Sequence, residues 1–349
     1  MDSKKTLIAM SGGVDSAVAA YRMRAEGSPC AGAIAQLWNT DEQSIGDARS
    51  VAERLGMEFF VWDAAADFRD QVVARFIDAY EQGLTPNPCV VCNRCIKFGT
   101  LLEKALAAGF DRVATGHYAQ VRYDTATGRY LLCKAADTAK DQTYFLACLS
   151  QYQLAHAAFP LGALTKEQAR AIALEQGFVN ARKRDSQDIC FVPDGDYFSF
   201  MQRHTGKAYA AGDFLDLSGM VVGKHKSAVA YTLGQRKGLG IALGQPVYVC
   251  AKDMEANTVT VGPNEALFST TLRANDWNFF PFPALTEPMR VTAKARSRHA
   301  EQPATVYPEE NGMARVVFDA PQRAMTPGQA VVLYDGDTVV GSGTITEVL

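Results

Sequence analysis

The chain has 349 residues, of which 48% are hydrophobic and 21% are charged, with a formal net charge of −3. That length predicts two or three domains, and the composition is typical of a folded globular protein. The sequence contains no apolar run of about 18 residues, so no membrane-spanning helix is predicted. The weakly acidic net charge argues against binding of nucleic acid through overall charge.

The first half of the chain alternates strand-like and helix-like segments, which predicts βαβ units and a mostly parallel sheet. The predicted strands are 5–10, 30–38, 57–62 and 112–115, and the predicted helices are 15–26, 46–55, 68–81, 98–108 and 165–176. The last of these helices begins with a capping-box pattern from Thr165 to Gln168. Two further runs, 119–123 and 129–134, flank the turn sequence TATG and predict a hairpin inserted into this sheet.

Helical spacing fades after about residue 205, and short β-rich runs follow, separated by Gly, Pro, Asn and Asp. The predicted strands are 247–252, 258–261, 289–295, 304–307, 314–318, 330–334 and 338–345. An Asp-Gly turn in YDGDTVV supports a hairpin between the last two. The sequence therefore predicts an α/β domain over 1–205, a small linking domain over 206–268 and a small β-barrel over 269–349.

The string SGGVDS, Ser11 to Ser16, follows a predicted strand and opens a predicted helix. Adjacent glycines let backbone N–H groups approach phosphate oxygens, and the helix N-terminus adds partial positive charge. Asp15 can cap the helix or lie near a Mg²⁺ ion. A simple tight turn is the alternative for any glycine pair, but the whole string in this position favours phosphate binding.

Eight cysteines occur in the chain, and residues 1–13 lack the small-residue cleavage site of a signal peptide. Without an export signal, these cysteines favour a reducing, cytoplasmic location, where thiols act as ligands or nucleophiles. Three of them, Cys89, Cys92 and Cys95, occur in the segment TPNPCVVCNRCIKF. A zinc site, a disulfide, a metal cluster and a reactive thiol are the alternatives for this segment.

Two levels of resemblance narrow the function. SGGVDS resembles the PP-loop of ATP pyrophosphatases, which cleave ATP between the α and β phosphates. The strings SGGVDSAVAAY, NPCVVCNRCIKF, ATGHYA, KDQTYFL, DSQDICF, YTLGQRKGLGI and TPGQ, from residue 11 to residue 329, are similar in order to the bacterial tRNA-specific 2-thiouridylase family (MnmA/TrmU). Another PP-loop enzyme with a different substrate is the alternative.

The resemblance implies a nucleotide-binding α/β domain, a small central domain and a C-terminal β-barrel. It implies ATP-dependent thiolation of carbon 2 of the wobble uridine, with ATP and Mg²⁺ as cofactors and tRNA as partner. A sulfur-relay protein or a cysteine desulfurase would donate the sulfur. The implied ATP-binding residues are Ala9, Met10, Ser11, Gly12, Gly13, Val14, Asp15, Ser16, Ala35 and Gly116.

The resemblance also implies contacts to tRNA. Residues placed near the target base are Asn87, Pro88 and Cys89, and the other implied contacts are His117, Lys140, Asp141, Gln142, Arg296, Ser297 and Gln329. From the sequence alone, His117 is instead a hydrogen-bonded histidine at a strand end. Basic residues concentrate at 182–184, 224–237 and 294–298, where phosphate contacts and solvated surface are the two interpretations.

By the same resemblance Cys92 is the nucleophile and Cys190 carries a persulfide, and a disulfide between them is the end product. Taken alone, Cys190 between Ile189 and Phe191 is typical of a buried core thiol. A helix beginning at Cys92 would lower the pKa of its thiol.

Cys89 departs from the family pattern, which has Asp at this position. A thiol is a poor general acid or base at neutral pH, so the resemblance does not carry that role to Cys89. Three thiolates on Cys89, Cys92 and Cys190 would instead suit a 4Fe-4S cluster with one open iron. Cys95 would add a fourth ligand for a closed site, but we take it as incidental. Persulfide and cluster chemistry both stay open at this point.

Overall fold

The computed structural model describes residues 4–38, 40–183 and 189–349, and the strands of these residues form three sheets. One sheet is parallel with five strands, one has four strands, and one is antiparallel with eight strands. In the described part of the chain, no helix has the length and apolar character needed to cross a membrane.

The elements are numbered in chain order. The strands are β1 (Thr6–Ala9), β2 (Cys30–Gln36), β3 (Phe59–Asp63), β4 (Arg112–Thr115), β5 (Gln120–Asp124), β6 (Arg129–Cys133), β7 (Ala157–Ala158), β8 (Gly212–Leu215), β9 (Val221–His225), β10 (Tyr248–Asp253), β11 (Thr258–Gly262), β12 (Phe268–Phe279), β13 (Met289–Lys294), β14 (Gln302–Pro308), β15 (Ala314–Arg323), β16 (Ala330–Asp335) and β17 (Thr338–Val348). The α-helices are α1 (Val14–Ala25), α2 (Glu42–Arg54), α3 (Ala65–Phe68), α4 (Ala74–Glu81), α5 (Pro88–Cys92), α6 (Leu101–Ala107), α7 (Thr143–Leu146), α8 (Gln151–Ala155), α9 (Lys166–Glu175) and α10 (Tyr197–Thr205). Two π-helical segments, Arg69–Val73 and Asn93–Thr100, connect α3 to α4 and α5 to α6.

The parallel sheet has the order β3-β2-β1-β4-β7, which confirms the predicted α/β architecture. Leu7 and Ile8 of β1 are fully buried and belong to separate apolar clusters, because helices cover both faces of the sheet. The chain leaves β1 for β2 on one side and later returns to β4 on the other. Loops that diverge from such a switch point leave a crevice at the carboxyl ends of the strands, where open α/β sheets bind ligands.

The hairpin of β5 and β6 joins the barrel sheet, so its predicted insertion into the parallel sheet is wrong. Cys133 of β6 pairs with Thr338 of β17, whereas β4 lies between β1 and β7. Leu131 and Leu132 are buried in one cluster with Val339 of the barrel. Alternating apolar residues predict a hairpin, but the sheet that it joins depends on which apolar face lies beside it.

Strands β12 to β17 form a closed antiparallel barrel, because β12 pairs with both β15 and β17. The predicted strands between 289 and 345 correspond to β13 to β17, whereas β12 was not predicted. Its sequence contains Arg273, Asn275 and Asp276, and Asp276 has a positive φ of 49° beside a shift in register. These polar residues and the irregular backbone interrupt the alternation by which a strand is recognised.

The four-stranded sheet has the order β10-β11-β8-β9 and surrounds a small core that includes Phe214, Val249 and Val259. It corresponds to the predicted central domain. The boundaries at 205 and 268 stay predictions, since α10 contributes Phe198 and Phe200 to a cluster shared with α3 and α4.

The helix that carries the cysteines begins at Pro88, well before the start predicted at residue 98. Asn87 caps it, because its side-chain oxygen accepts a hydrogen bond from the backbone N–H of Cys89 at 3.2 Å. Proline suits the first helical position, where its missing N–H costs nothing. From there α5, a π-helical segment and α6 follow one another without a break to Ala107. We call residues 88–107 the cysteine helix.

Leu132→Ala tests the assignment of the hairpin to the barrel. Leu132 is fully buried, so we expect its truncation to lower the free energy of unfolding by about 2–5 kcal/mol in urea titrations. A double-mutant cycle with Val339→Ala should show a coupling energy of about 0.5 kcal/mol or more, because the two side chains share one cluster. Leu174→Ala is the control, since Leu174 is 53% exposed. Strictly additive effects at Leu132 and Val339 would contradict the assignment.

Candidate active site

A cavity of about 880 Å³ opens at the carboxyl ends of β1, β2 and β4. Its wall joins the glycine loop to the region of the cysteines. The described wall residues include Ala9, Met10, Ser11, Gly13, Val14, Asp15, Ser16, Ala35, Ser44, Cys92, Lys97, Gly116, His117, Lys140, Gln142, Lys166, Lys183 and Cys190. One cavity therefore contains most of the predicted ATP-binding residues and both predicted catalytic cysteines.

The glycine loop is held by its own hydroxyl groups. The backbone N–H of Ser11 donates to Ser16 Oγ at 3.2 Å, and Ser16 Oγ donates to the carbonyl of Gly13 at 3.1 Å. Gly12 has a φ of +70°, and a Cβ there would lie 2.5 Å from the backbone oxygen of Ser44. Only glycine fits this position, because both the backbone conformation and the approach of α2 exclude a side chain.

Two side chains bind the carbonyl oxygens of the loop from behind. Asn180 Nδ2 donates to Gly12 O at 3.1 Å and to Gly13 O at 3.2 Å. Lys183 Nζ contacts Gly12 O at 3.3 Å and the carboxylate of Asp47 at 3.0 Å. Because the carbonyl oxygens have these partners, the N–H groups at the start of α1 are the part of the loop suited to an anion.

Asp15 does not cap α1, whose N-cap is Gly13 without a side-chain hydrogen bond. Its carboxylate contacts Lys166 Nζ at 2.7 and 2.8 Å and accepts a hydrogen bond from the Tyr118 hydroxyl at 2.9 Å. Lys166 is 5% exposed. This ion pair keeps a carboxylate in position at the cavity wall, because the lysine compensates its charge inside the protein.

Gly116 directly follows β4, and its predicted close approach to ATP stays a prediction. In the structure it lies against the backbone at the start of α1. A Cβ at Gly116 would lie 2.6 Å from the backbone carbon of Asp15 and 2.7 Å from the backbone nitrogen of Ser16. The loop after β4 therefore touches the first turn of α1. Any side chain here would separate the two loops that border the cavity.

Cys92 lines the cavity but lies at the end of α5, so it is not at a helix start, where the helix dipole would lower its pKa. Burial raises the pKa of Cys92, the charge of Lys97 lowers it, and the thiols of Cys89 and Cys95 raise it. The cysteine in the first turn of this helix is Cys89. Desolvation raises its pKa as well, and the charge of Lys97 lowers it. Desolvation is the largest influence on the pKa of both thiols, because a buried thiolate loses its hydration.

Cys190 is exposed at the edge of the cavity, which argues against the alternative of a buried core thiol. Its role as the persulfide carrier stays a prediction. Desolvation within the cleft raises its pKa to about 11, the thiols of Cys92 and Cys89 raise it, and Lys97 lowers it. The preceding motif residues 185–188 lie outside the described residues. The two predicted catalytic cysteines thus share one wall and act on each other electrostatically.

Within the residues that the structure describes, no group of three Cys, His, Asp or Glu side chains is arranged to hold a metal ion. The cysteines Cys89, Cys92, Cys95 and Cys190 are therefore not arranged as the ligands of a single metal ion such as zinc. An open-iron cluster on Cys89, Cys92 and Cys190 stays a prediction. Cys95 is half-buried and lies 4.0 Å from a guanidinium nitrogen of Arg75.

His117 is buried, and its ring is held at both nitrogens. Nδ1 lies 2.6 Å from Thr115 Oγ1, and Nε2 lies 3.5 Å from Lys97 Nζ. Burial and the charge of Lys97 hold the pKa of His117 well below its usual range. The interpretation of His117 as a hydrogen-bonded histidine at a strand end is confirmed, and its contact with tRNA stays a prediction.

Two residues predicted to contact tRNA, Arg296 and Gln329, form hydrogen bonds to residues that are distant in the chain. Gln329 Nε2 donates to the backbone oxygen of Thr85 at 2.7 Å, two residues before Asn87. The guanidinium of Arg296 donates to Leu233 O at 3.1 Å and to Thr326 Oγ1. Desolvation lowers the pKa of Arg296. The half-buried Ser297 is the neighbour of Arg296 in this part of the barrel.

The segment KDQ, 140–142, follows the hairpin, and its side chains lie partly in the cavity wall and partly in the protein interior. Lys140 and Gln142 line the cavity. Asp141 accepts hydrogen bonds from the backbone N–H of Ala135 at 3.0 Å and the Thr143 hydroxyl at 2.5 Å. Desolvation raises the pKa of Asp141 more than these hydrogen bonds lower it. Its contacts to tRNA, like those of Lys140 and Gln142, stay predictions.

Similarity to known proteins shows which family the chain belongs to. The description "tRNA methyl transferase HUP domain" matches residues 4–194, "tRNA methyl transferase PRC-barrel domain" matches 198–263, and "Aminomethyltransferase beta-barrel domain" matches 269–345. The tRNA-specific 2-thiouridylase MnmA of Acetivibrio thermocellus is 49% identical, over 99% of this chain and 100% of that protein. The enzyme of the same name from Clostridioides difficile is 45% identical, over 99% of both. This chain belongs to the tRNA-specific 2-thiouridylase family.

Four functional candidates were missed by sequence reasoning: Lys97, Tyr118, Lys166 and Asn180. Lys166 carried a usable signal, because lysine is unfavourable in the first turn of a helix and here directly follows the capping residue Thr165. Lys183 belongs to the basic stretch 182–184, for which phosphate contacts and solvated surface are the two interpretations, yet it contacts the glycine loop. Arg184 of that stretch lies outside the described residues.

Gly12→Ala tests whether the glycine loop binds ATP. The new Cβ would meet Ser44 O at 2.5 Å and force a φ of +70° on alanine, so we expect affinity for a non-hydrolysable ATP analogue to fall at least roughly tenfold. Gly27→Ala is the matched control, because its φ is +75° and nothing lies within 4 Å of the methyl group that alanine would add. Calorimetric titration of both variants measures the difference. Equal affinities in the two variants would contradict the assignment.

Proposed function

We propose that this chain is an ATP-dependent tRNA uridine 2-sulfurtransferase that thiolates carbon 2 of the wobble uridine. The observation that carries the proposal is the single cavity whose wall contains the glycine loop, Cys92 and Cys190. Replacing a carbonyl oxygen by sulfur needs an activated oxygen and a sulfur carrier in one place. A PP-loop enzyme without sulfur chemistry would need neither cysteine at this wall.

The first step activates the oxygen. The uridine O2 attacks the α-phosphorus of ATP, the bond to the β-phosphate oxygen breaks, and pyrophosphate leaves. The N–H groups at the start of α1 would bind the phosphate oxygens. Mg²⁺ usually binds phosphates together with one or two carboxylates, and Asp15 at the wall fits that role. When bound, the ion neutralises charge on the departing pyrophosphate.

The second step transfers the sulfur. The terminal sulfur of a Cys190 persulfide attacks carbon 2, and AMP leaves with the original oxygen. The Cys92 thiolate then attacks the sulfur of Cys190, the persulfide S–S bond breaks, and the second sulfur stays on carbon 2 as the thiocarbonyl. A Cys92–Cys190 disulfide remains, which a thiol reductant must reduce before a sulfur-relay protein or cysteine desulfurase reloads Cys190.

The tRNA would approach from the side of the barrel. Gln329 already contacts the segment that leads to Asn87, Pro88 and Cys89, the residues that the family resemblance places at the target base. The uridine must leave its stack to reach the cavity, which favours recognition of a single-stranded anticodon loop. We place the reaction in the cytoplasm, because tRNA is the substrate and the chemistry needs reduced thiols.

Cys190→Ser separates sulfur transfer from oxygen activation. We expect this variant to form no thiolated tRNA, because serine cannot carry a persulfide, while tRNA-dependent release of pyrophosphate continues. Mass spectrometry of tRNA nucleosides and a pyrophosphate assay measure the two products. Cys250→Ser in β10 is the control, with both products expected at the level of the unsubstituted protein. The proposal would be contradicted if Cys190→Ser still thiolates tRNA. It would also be contradicted if the rate of pyrophosphate release is the same with and without tRNA.

Iron and sulfide analysis after anaerobic purification separates the two sulfur carriers. The persulfide route predicts an iron-free protein that thiolates tRNA when supplied with a persulfide donor. If the protein instead holds about four irons per chain, and loses thiolation together with them, a cluster on Cys89, Cys92 and Cys190 replaces the persulfide route. A visible spectrum recorded on the same sample checks the result.

A further inference from the structure

Lys97 lies in the cavity wall on the same helix as Cys92, five positions later. The intervening Asn93–Thr100 segment is π-helical, so its backbone hydrogen bonds join residues five positions apart instead of four. Cys92 and Lys97 therefore occupy successive turns that face the same cavity. Such π-helical insertions often occur at functional sites.

His117 orients the ammonium group of Lys97. An ammonium has only donors, so His117 Nε2 accepts from Lys97 Nζ across 3.5 Å, and Nδ1–H donates to Thr115 Oγ1 at 2.6 Å. The ring is neutral at physiological pH, because its pKa lies well below the usual range. A neutral imidazole held at Thr115 thus directs Lys97 without cancelling its charge.

Two other lysines of the cavity wall are paired with carboxylates. Lys166 pairs with the carboxylate of Asp15 at 2.7 Å, and Lys183 pairs with that of Asp47 at 3.0 Å. The His117 contact leaves the positive charge of Lys97 available to the thiols nearby.

Among the groups that influence the pKa of Cys92, Lys97 is the one that carries a positive charge. Burial raises the pKa of the Cys92 thiol, as do Cys89 and Cys95, whereas Lys97 lowers it. Lys97 also lowers the pKa of Cys89 and of Cys190. On the neighbouring π-helical segment, Arg69 and Asp70 are exposed and paired with each other at 3.3 Å. A buried thiol becomes nucleophilic when an adjacent cation stabilises its anion.

We propose that Lys97, oriented by His117, is a positioning residue for sulfur transfer that stabilises the Cys92 thiolate as it attacks Cys190. In that step the Cys92–Cys190 bond forms, the persulfide bond breaks, and the electron pair leaves with the sulfur on carbon 2. Lys97 keeps all its protons throughout. The inference rests on the proposed function for the identity of the step, whereas the effect of Lys97 on Cys92 can be measured without tRNA.

Lys97→Met removes the charge at similar side-chain length, and Lys97→Arg retains it. The rate of Cys92 alkylation by iodoacetamide, followed by peptide mass spectrometry across pH, reports thiolate formation. We expect the midpoint for Lys97→Met to rise by about one pH unit, with a roughly tenfold slower reaction at neutral pH. Lys97→Arg should restore most of the rate. In turnover, the ratio of thiolated tRNA to pyrophosphate should fall for Lys97→Met.

Lys104→Met is the matched control, because Lys104 is exposed on the same helix and donates to the backbone of Asp63. It should leave the alkylation profile unchanged. His117→Asn should shift the profile in the same direction as Lys97→Met, because the ammonium loses its orienting partner. Urea unfolding of each variant verifies that the fold is retained.

The two proposals fail separately. An unchanged Cys92 profile in folded Lys97→Met would overturn the role of Lys97, whether or not the protein thiolates tRNA. If the profile shifts but the protein does not thiolate tRNA, the effect of Lys97 on Cys92 is supported and the proposed sulfur transfer is contradicted.

Discussion

The start of the cysteine helix is the constraint on which the proposed chemistry depends. Asn87 caps this helix through the N–H of Cys89, and the segment just before it is bound by the barrel. The backbone N–H of Thr85 donates to Pro327 O at 3.0 Å, and Gln329 donates to Thr85 O at 2.7 Å. A helix with a set first residue has set positions for every later side chain. The barrel thereby determines where Cys92 and Lys97 meet the cavity.

The parallel sheet supplies the other half of the site. Its switch point beside β1 opens the crevice, and Gly116 lets the loop after β4 touch the start of α1. Lys166 and Lys183 hold Asp15 and the back of the glycine loop. The ATP side thus depends on ion pairs and glycine contacts, whereas the sulfur side depends on a helix capped at one end. The two sides share a single cavity because that helix packs beside the sheet.

The charges of the buried side chains differ between the ATP side and the sulfur side of the cavity. On the ATP side, cations are paired with carboxylates, so the charges are compensated before any ligand binds. On the sulfur side, burial raises the pKa of Cys92 and of Cys190. Both thiols are then mostly protonated at neutral pH. Thiolate formation depends on local positive charge, which is why the position of one lysine has consequences for the proposed reaction.

The amino-acid sequence is enough to predict the local features: the alternation of a parallel sheet, the glycine loop, the capping box at Thr165 and most barrel strands. It also carried the motifs of the family. These features depend on neighbours in the chain, so their patterns are legible without a structure. The folded arrangement is needed to establish which sheet the hairpin joins, that Cys190 is exposed at the cavity, and that desolvation raises the pKa of Cys92. These outcomes depend on burial and on charges far apart in sequence, and no local pattern reports the desolvation that a folded cavity imposes.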